Sequence, residues 1–530
     1  MRIMELNLLI LVFIKNNLEA NVRYKNWSIL TLLIFITAIT SVKAQEIPRC
    51  GTEDLESIKQ RMLANRAAMK DVVFPREVSY VPLKFHIVGD SQGKGRIEEE
   101  KLLDALCQLN ENYADQGIQF YIKDGFNYVN NNTINTKPSS TQGINLIREV
   151  RRLNALNVFY TDQTVDNEPI AAYYQGGTSL DWIIVRNIYA QDVRVLTHEI
   201  GHYFSLPHPF HGWDKEPWDP AIHGNPVGTL APDGRTVNEY ADGSNCNPDI
   251  AQDQNNVGDG ICDTPADYNF GGNDCSYKLN ALDPQSKPVQ PQVNNYMNYF
   301  FGCSGYIFTV EQKEEIQRSL QSGDRDYLRS NYQPNIAEIK DPVYLISPGD
   351  QEQLNRDKQA LLKWEPVAGA DFYLVEVDRS PSFDYAPISE ITNIDSMLIQ
   401  DLEPERNYFW RVRPFNEYYT CANATPARRF KTAKTVSVQE LPFVRFMSIF
   451  PTVLKSSDAL HIELDSEIGF NSEINLIDVS GRIMQRWIDQ YFIPGSNRKQ
   501  LQLNALPAGF YFIRLQTDQG TVVQKIIVGG

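Results

Sequence analysis

The residues best equipped for chemistry stand in one short stretch, His198-Glu199-Ile200-Gly201-His202, followed six residues later by His208. Neutral imidazoles suit zinc, and three protein ligands leave a fourth position for water. Glu199 sits beside the first ligand, where a carboxylate can take that water's proton, which is the chemistry of a hydrolase. The competing explanation, histidines that merely cap or pack a helix, requires this spacing to arise by accident among only seven histidines in 530 residues.

Val193, Leu196, Ile200 and Tyr203 recur at helical spacing. A helix over this stretch puts His198 and His202 one turn apart on a single face. Pro207 forbids the helix from continuing and turns the chain before His208, the return that a third ligand needs.

The stretch resembles the extended motif of the metzincin metallopeptidases, His-Glu-x-x-His-x-x-Gly-x-x-His, with Ser205 in place of the usual glycine. Glycine there permits a positive φ, which serine adopts at a cost on the order of 1 kcal/mol. Downstream, Asn295-Tyr296-Met297-Asn298-Tyr299 resembles the methionine turn of that family. With Cys303 and Phe308-Thr309-x-x-Gln312, it is most similar to the pappalysin branch, the group containing ulilysin and mirolysin. The resemblance implies that Met297 packs below the zinc, since a thioether is a poor zinc partner, and that Tyr299 donates to the oxyanion. Ordinary core packing is the alternative for Tyr299. Arginine-selective relatives carry an acidic residue shortly after the turn. Here Phe300-Phe301-Gly302 is uncharged, so a strong preference for basic residues is not expected.

A length of 530 suggests three or four domains, and 42% apolar with 22% charged residues is a globular composition. A formal net charge of −16 and a pI near 5.0, with no basic run, argue against nucleic acid or anionic membranes as partners and favour proteins or peptides. Residues 1–44 read as a signal peptide: Arg23 and Lys25, the apolar run Ile29 to Ile39, then Val42-Lys43-Ala44 before Gln45. No apolar run reaches the roughly 18 residues of a membrane span.

All seven cysteines (Cys50, Cys107, Cys246, Cys262, Cys275, Cys303, Cys421) lie beyond the signal, where disulfides persist, and the odd count leaves at least one thiol unpaired. Sequence leaves three connectivities for Cys246, Cys262, Cys275 and Cys303; the pappalysin resemblance implies Cys246–Cys275 and Cys262–Cys303. Residues 45–76 read as a propeptide with a helix over Leu55 to Met69. Pro48-Arg49-Cys50-Gly51 resembles the cysteine-switch segment of metzincin propeptides, which makes Cys50 a zinc ligand in a latent form. A disulfide with Cys107 or Cys421, or a free surface thiol, are the alternatives. Activation would follow a cut near Arg76.

The expected fold of residues 77–335 is an α+β metzincin-like catalytic domain, a twisted mixed sheet with helices and a zinc cleft. Its strands are read at Val78–Val88, Ile118–Ile122, Asn157–Tyr160 and Trp182–Val185, its helices at Lys101–Tyr113 and Gly143–Leu153. Ile170–Tyr174 holds the position of the metzincin edge strand, on which a substrate could add as a further strand; an ordinary buried strand is the alternative. Asp242, Asp249, Asp253, Asp259, Asp263, Asp267 and Asp274 crowd the loop region 209–275 and offer hard oxygen ligands for structural calcium, or else are solvated acidic turns.

Two all-β sandwich domains are expected to follow. In 336–434, Leu402-x-Pro404-x-x-x-Tyr408 resembles the tyrosine corner of a fibronectin type III module, with Trp364 as core tryptophan; such a module binds a partner or acts as a spacer. In 435–530, Ile449-Phe450-Pro451, Asp478-Val479-Ser480-Gly481-Arg482 and Lys525-Ile526-Ile527-Val528 are similar to the C-terminal sorting domain of the bacterial type IX secretion system. That implies the secretion machinery as a partner and a secreted or cell-surface location. The expected activity is that of a secreted zinc metalloendopeptidase with Glu199 as general base; the alternative is a surface adhesin with a vestigial peptidase domain.

Overall fold

In the computed structural model the described residues are 49–529, apart from 71, 73, 75–76, 166–169, 178–180, 248–255, 331, 386, 435–440, 442 and 456–457. The expected signal peptide, the expected cut at Arg76 and two of the loop aspartates, Asp249 and Asp253, therefore lie outside them. The chain divides into two compact units. The first runs to Asp341 and includes Val367–Leu374 and Pro414–Asn423; the second holds the remaining residues from Pro342.

The first unit is built on a seven-stranded mixed sheet in the order β1-β6-β7-β5-β2-β3, with β4 also on β2. These strands are β1 (Arg49–Cys50), β2 (Ser79–Gly89), β3 (Ile118–Ile122), β4 (Asn127–Asn130), β5 (Leu156–Thr161), β6 (Ile170–Gln175) and β7 (Trp182–Arg186). Strands β2, β3, β4, β5 and β7 are linked by parallel pairings, whereas β6 runs antiparallel to β7. Burial on both faces explains why β7 reads as a short apolar run, and β3, whose sequence reads as an alternation, is buried at every position as well.

The helices of this unit are α1 (Leu55–Ala68), α2 (Glu99–Tyr113), α3 (Asn132–Thr136), α4 (Thr141–Val150), α5 (Val193–Tyr203), α6 (Pro220–His223) and α7 (Val310–Gln321). Helix α2 buries Leu102, Leu103, Leu106, Leu109 and Tyr113, a stripe at helical spacing. It grips α5 with two hydrogen bonds: Tyr113 Oη donates to the Thr197 carbonyl (3.1 Å) and Asn112 Nδ2 to Thr197 Oγ1 (2.9 Å). Helix α7 starts with a capping box, Thr309 and Gln312 bonding each other's backbone N–H.

Helix α5 stops at Tyr203, short of Pro207. The turn expected of the proline is made by Ser205, at φ 70°. The Ser205 N–H bonds the His202 carbonyl and the Leu206 N–H the Gly201 carbonyl, both at 2.9 Å, which is a Schellman termination with serine in the left-handed position. The buried Ser205 hydroxyl bonds the Ser319 hydroxyl of α7 at 3.2 Å, a contact glycine could not make.

Three disulfides close among the described residues: Cys246–Cys262, Cys275–Cys303 and Cys107–Cys421, with Cys50 free. The crosswise pairing implied by the resemblance, Cys246–Cys275 and Cys262–Cys303, is thereby corrected. A parallel bridge between Gly272 and Phe300 places Cys275 and Cys303 at matching positions three residues beyond it, so they meet each other. Cys246 and Cys262 then close the shorter loop between them. Cys107 of α2 holds Cys421 in the Pro414–Asn423 segment, where Ile122 N–H also bonds the Glu417 carbonyl (2.7 Å) and Thr420 Oγ1 the Leu103 carbonyl (2.8 Å).

The second unit is all β. One pair of sheets has three and five strands and buries Trp364, Val375, Trp410 and Val412. There the Glu403 N–H donates to the Tyr408 hydroxyl at 2.8 Å. A further pair, again of three and five strands, packs Leu460, Ile462, Leu476, Ile513, Leu515 and Ile526 into one core. A mixed α/β region followed by β-sandwich domains is thus the architecture.

Candidate metal centre

Helix α5 presents His198 and His202 one turn apart, and the Schellman turn brings His208 back against them. The three Nε2 atoms form a triangle with every side 3.1 Å. Each Nδ1 faces an oxygen that can only accept: His198 the Tyr296 carbonyl (2.9 Å), His202 the Leu206 carbonyl (2.8 Å), His208 the Asp214 carboxylate (2.6 Å). Each ring therefore carries its proton on Nδ1, and three lone pairs aim at one point. They cannot hydrogen-bond one another, because none has a proton to give. Tetrahedral zinc at ~2.05 Å from each nitrogen needs donors ~3.3 Å apart. The residues present fit that ion. Burial, then the neighbouring His208, holds His198 and His202 well below the usual histidine range, so they stay neutral as ligands must.

Asp214 was not read from the sequence as a site residue. Gly212, at φ 94°, turns the chain so that Asp214 returns to His208, and Asp214 Oδ2 also accepts the Gly212 N–H (3.0 Å). Burial pushes this carboxyl up, but the hydrogen bonds from His208 and the Gly212 N–H oppose it, and Asp214 is held below the usual range. A carboxylate behind a histidine ligand fixes its ring and raises its basicity.

Met297 is fully buried beside the helix: a Cβ added to Gly201 would collide with its Sδ. Tyr299 packs on His208 (centroids 5.0 Å) and Phe210 (4.8 Å), with its hydroxyl 3.4 Å from His208 Nε2; burial raises it well above the ordinary tyrosine range. Glu199 lies 1% exposed beside the triad. Burial pushes its carboxyl up to about 7 against the lowering effect of hydrogen bonds from Cys50, Thr52 and the Tyr174 amide.

Cys50 completes the group. Its Sγ lies 3.5 Å from His202 Nε2 and 3.6 Å from Glu199 Oε2, and one donor atom from each of Cys50, His198, His202 and His208 falls within 4.8 Å of the others. The chain reaches this point because β1 adds parallel to the free edge of β6, Arg49 opposite Ile170 and Cys50 opposite Ala172. Helix α1 anchors the segment: Arg66 pairs with Glu315 of α7 (2.6 Å), the buried Lys59 ammonium donates to the Gly258 carbonyl (2.7 Å), and Glu56 meets His211 (3.2 Å). A pocket beside the triad is lined by Ala171, Arg194, Val195, Tyr296 and Phe301. The Arg194 guanidinium lies 3.6 Å over the Phe301 ring and pairs with Asp192 (3.1 Å).

The aspartates of the loop do not gather. Asp242 pairs with Lys287, and Asp274 with Lys278. Asp259 accepts from Ile261 N (2.9 Å) and Thr264 Oγ1 (3.0 Å), Asp263 from Thr309 Oγ1 (2.6 Å) and Glu311 N (2.9 Å), and Asp267 from Phe270 N (3.3 Å). Among the described residues none joins a group of three His, Cys, Asp or Glu side chains, so this geometry lends the calcium expectation no support.

Comparison with known proteins adds four findings. Residues 449–529 match the family model of the secretion system C-terminal sorting domain. An extracellular metalloprotease of Colletotrichum graminicola (strain M1.001 / M2 / FGSC 10212) is 28% identical over 187 residues, 31% of this chain and 65% of that protein. Pikachurin of Rattus norvegicus is 32% identical over 124 residues, 22% of this chain and 12% of its own length. The chain thus spans just under two thirds of the first relative and far less of the second. Among solved structures, the FN1-FN3 domains of chicken CNTN1 align with TM-score 0.17 at 16% identity, over 37% of this chain and 69% of theirs. The sorting domain marks the chain for type IX secretion to the outer surface or the extracellular space. No helix among the described residues is long and apolar enough to cross a membrane.

Proposed function

We propose that the chain is a secreted zinc metalloendopeptidase of the metzincin type, made as a zymogen whose residues 45–76 are the propeptide and 77–335 the peptidase. The observation that carries this is the triangle of Nε2 atoms, 3.1 Å apart with every Nδ1 already committed. Zinc held by His198, His202 and His208 would polarise the scissile carbonyl and acidify the attacking water. Glu199 takes the proton of that water and returns it to the leaving amine. Tyr299 donates to the carbonyl oxygen as negative charge develops. The edge of β6, covered by β1 in the uncut chain, is where a peptide adds as a strand once the propeptide has gone.

Cys50 supplies the fourth donor and keeps the uncut chain latent; a thiolate is a strong zinc ligand in the place the water needs. The fibronectin-like 336–434 serves as a spacer, and 435–530 serves export. With Arg194 in the pocket and no carboxylate there but Glu199, arginine beside the scissile bond is disfavoured.

The test is hydrolysis of a denatured protein by the purified chain after cleavage of the propeptide. Cleavage abolished by a chelator and restored by zinc supports the reading. Binding without cleavage, indifferent to chelation, would favour the adhesin. Cys50→Ala should raise the activity of the uncut chain and hasten its own processing. A variant as latent as the parent with zinc still bound would mean that bulk, not sulfur, blocks the cleft.

A further inference from the structure

The strand that brings Cys50 to the triad makes a second contact that sulfur ligation does not require. Thr52, buried two residues further on, donates its hydroxyl hydrogen to Glu199 Oε2 at 3.0 Å. Thr52 Oγ1 in turn accepts the backbone N–H of Tyr174 in β6 at 2.9 Å. One hydroxyl thus uses its donor and an acceptor lone pair together.

Both partners are groups that the proposed reaction needs free. Glu199 must face the attacking water, and the Tyr174 N–H is a donor on the open edge of β6. The placement of Thr52 is tightly determined. Gly51 N–H bonds the Ala172 carbonyl (2.8 Å), and a Cβ on Gly51 would lie 2.6 Å from Ile170 Cγ2, so only glycine lets the strand come this close. The Thr52 N–H in turn points to Cys50 Sγ (3.4 Å), tying the hydroxyl and the sulfur into one unit.

We propose that Thr52 is a second, separate lock on the zymogen: Cys50 occupies the metal position, while Thr52 occupies the general base and the substrate-binding edge. The proposal rests on the metallopeptidase reading above and deepens its regulation. Threonine suits the task because its hydroxyl serves both partners, whereas valine keeps the shape and serves neither.

The test uses the full-length, zinc-loaded chain and follows alkylation of Cys50 by a maleimide, which requires the segment to lift off. A hydrogen bond to a buried carboxylate makes a difference of about tenfold or more in the open population, so Thr52→Val should speed alkylation by about tenfold at unchanged zinc content. Thr52→Ser should react at close to the parent's rate. In a Glu199→Ala background the acceleration caused by Thr52→Val should shrink to about threefold, leaving only the Tyr174 share. The proposal is overturned if Thr52→Val reacts at the parent's rate, if Thr52→Ser behaves like valine, or if the acceleration is undiminished without Glu199. A parent chain that holds no zinc and exposes a freely reacting Cys50 would instead bring down the metallopeptidase reading, and this proposal with it.

Discussion

His198, His202 and His208 aim three nitrogens at one point, whereas Asp242, Asp259, Asp263, Asp267 and Asp274, in the loop that follows, turn their carboxylates toward separate partners. Both stretches are rich in ligand chemistry when read as sequence. The difference lies in what the rest of the fold has done with the donors. Each histidine has its other nitrogen occupied by Tyr296, Leu206 or Asp214, so the lone pairs left over converge on one point, with the Tyr299 hydroxyl (3.4 Å) and the Cys50 sulfur (3.5 Å) beside them. Each aspartate accepts from a nearby N–H, hydroxyl or lysine of its own, and the carboxylates do not share a point. Donor density alone does not make a metal site; donors must be oriented and then left without a proton to meet.

The largest expected effect comes from the residue that touches the triad without being part of it. Glu199→Ala should retain about one zinc per chain yet lose at least about a thousandfold in hydrolysis after propeptide removal. His202→Ala should lose the metal itself. Zinc analysis alongside the activity assay separates the two, and a Glu199→Ala protein that purifies without zinc would make that carboxylate a ligand.

The next effect measures how much orientation matters. Asp214→Asn keeps a side chain able to face His208 but removes the charge, and should weaken zinc binding by about 10- to 100-fold in competition with a chelator. Unchanged affinity would mean that the triad is held by the backbone carbonyls alone, and the contrast with the loop would rest on convergence rather than on the groups behind the rings.

The triad was legible because short-range spacing on a helix fixes its geometry, and the turn residue Ser205 was legible for the same reason. Asp214 and Thr52 were not: one arrives through the turn at Gly212, the other from a strand whose pairing with β6 spans more than a hundred residues of sequence. Strand β4, Asn-Tyr-Val-Asn, has too few apolar residues to announce itself. Helix α7 is largely polar, and its capping residues Thr309 and Gln312 mark where it begins. The disulfides depended on loop pairings such as Gly272 with Phe300, which leave no periodic trace. Local periodicity carried the elements, and tertiary approach carried the partners.

Within the loop, Asp267 allows a sharper test. Burial pushes its carboxyl up to about 7, against backbone N–H groups of Phe270, Asn269 and Tyr268 that lower it. A folded value above the ordinary 3.8 means that the folded protein keeps a proton the unfolded chain has released. The stability linked to that proton is complete below about pH 4 and is lost as pH rises through about 7. Asp267→Asn should therefore flatten the fall in melting temperature between pH 4 and 8. Asp259, raised to about 7 with burial as its first cause, keeps a slope of its own, so the dependence should lessen rather than vanish. A variant with the parent's slope would mean that Asp267 is ionised in the fold, and an anion buried at that place would call for a counter-ion.

The smallest effect is expected where the sequence looked most like a calcium site. Asp242 and Asp274 are exposed, and each meets a lysine, Lys287 and Lys278, that is itself exposed. Water and salt screen such pairs, and their geometry costs side-chain freedom. The double variant Asp242→Asn/Asp274→Asn should melt within experimental error of the parent and hold the same zinc. Added calcium should shift neither protein, because a ligand that binds only the folded form must raise its melting temperature. If calcium stabilises the parent and not the variant, the loop carboxylates do leave their lysines for an ion, and the line drawn here between converging histidines and dispersed aspartates fails at the aspartates.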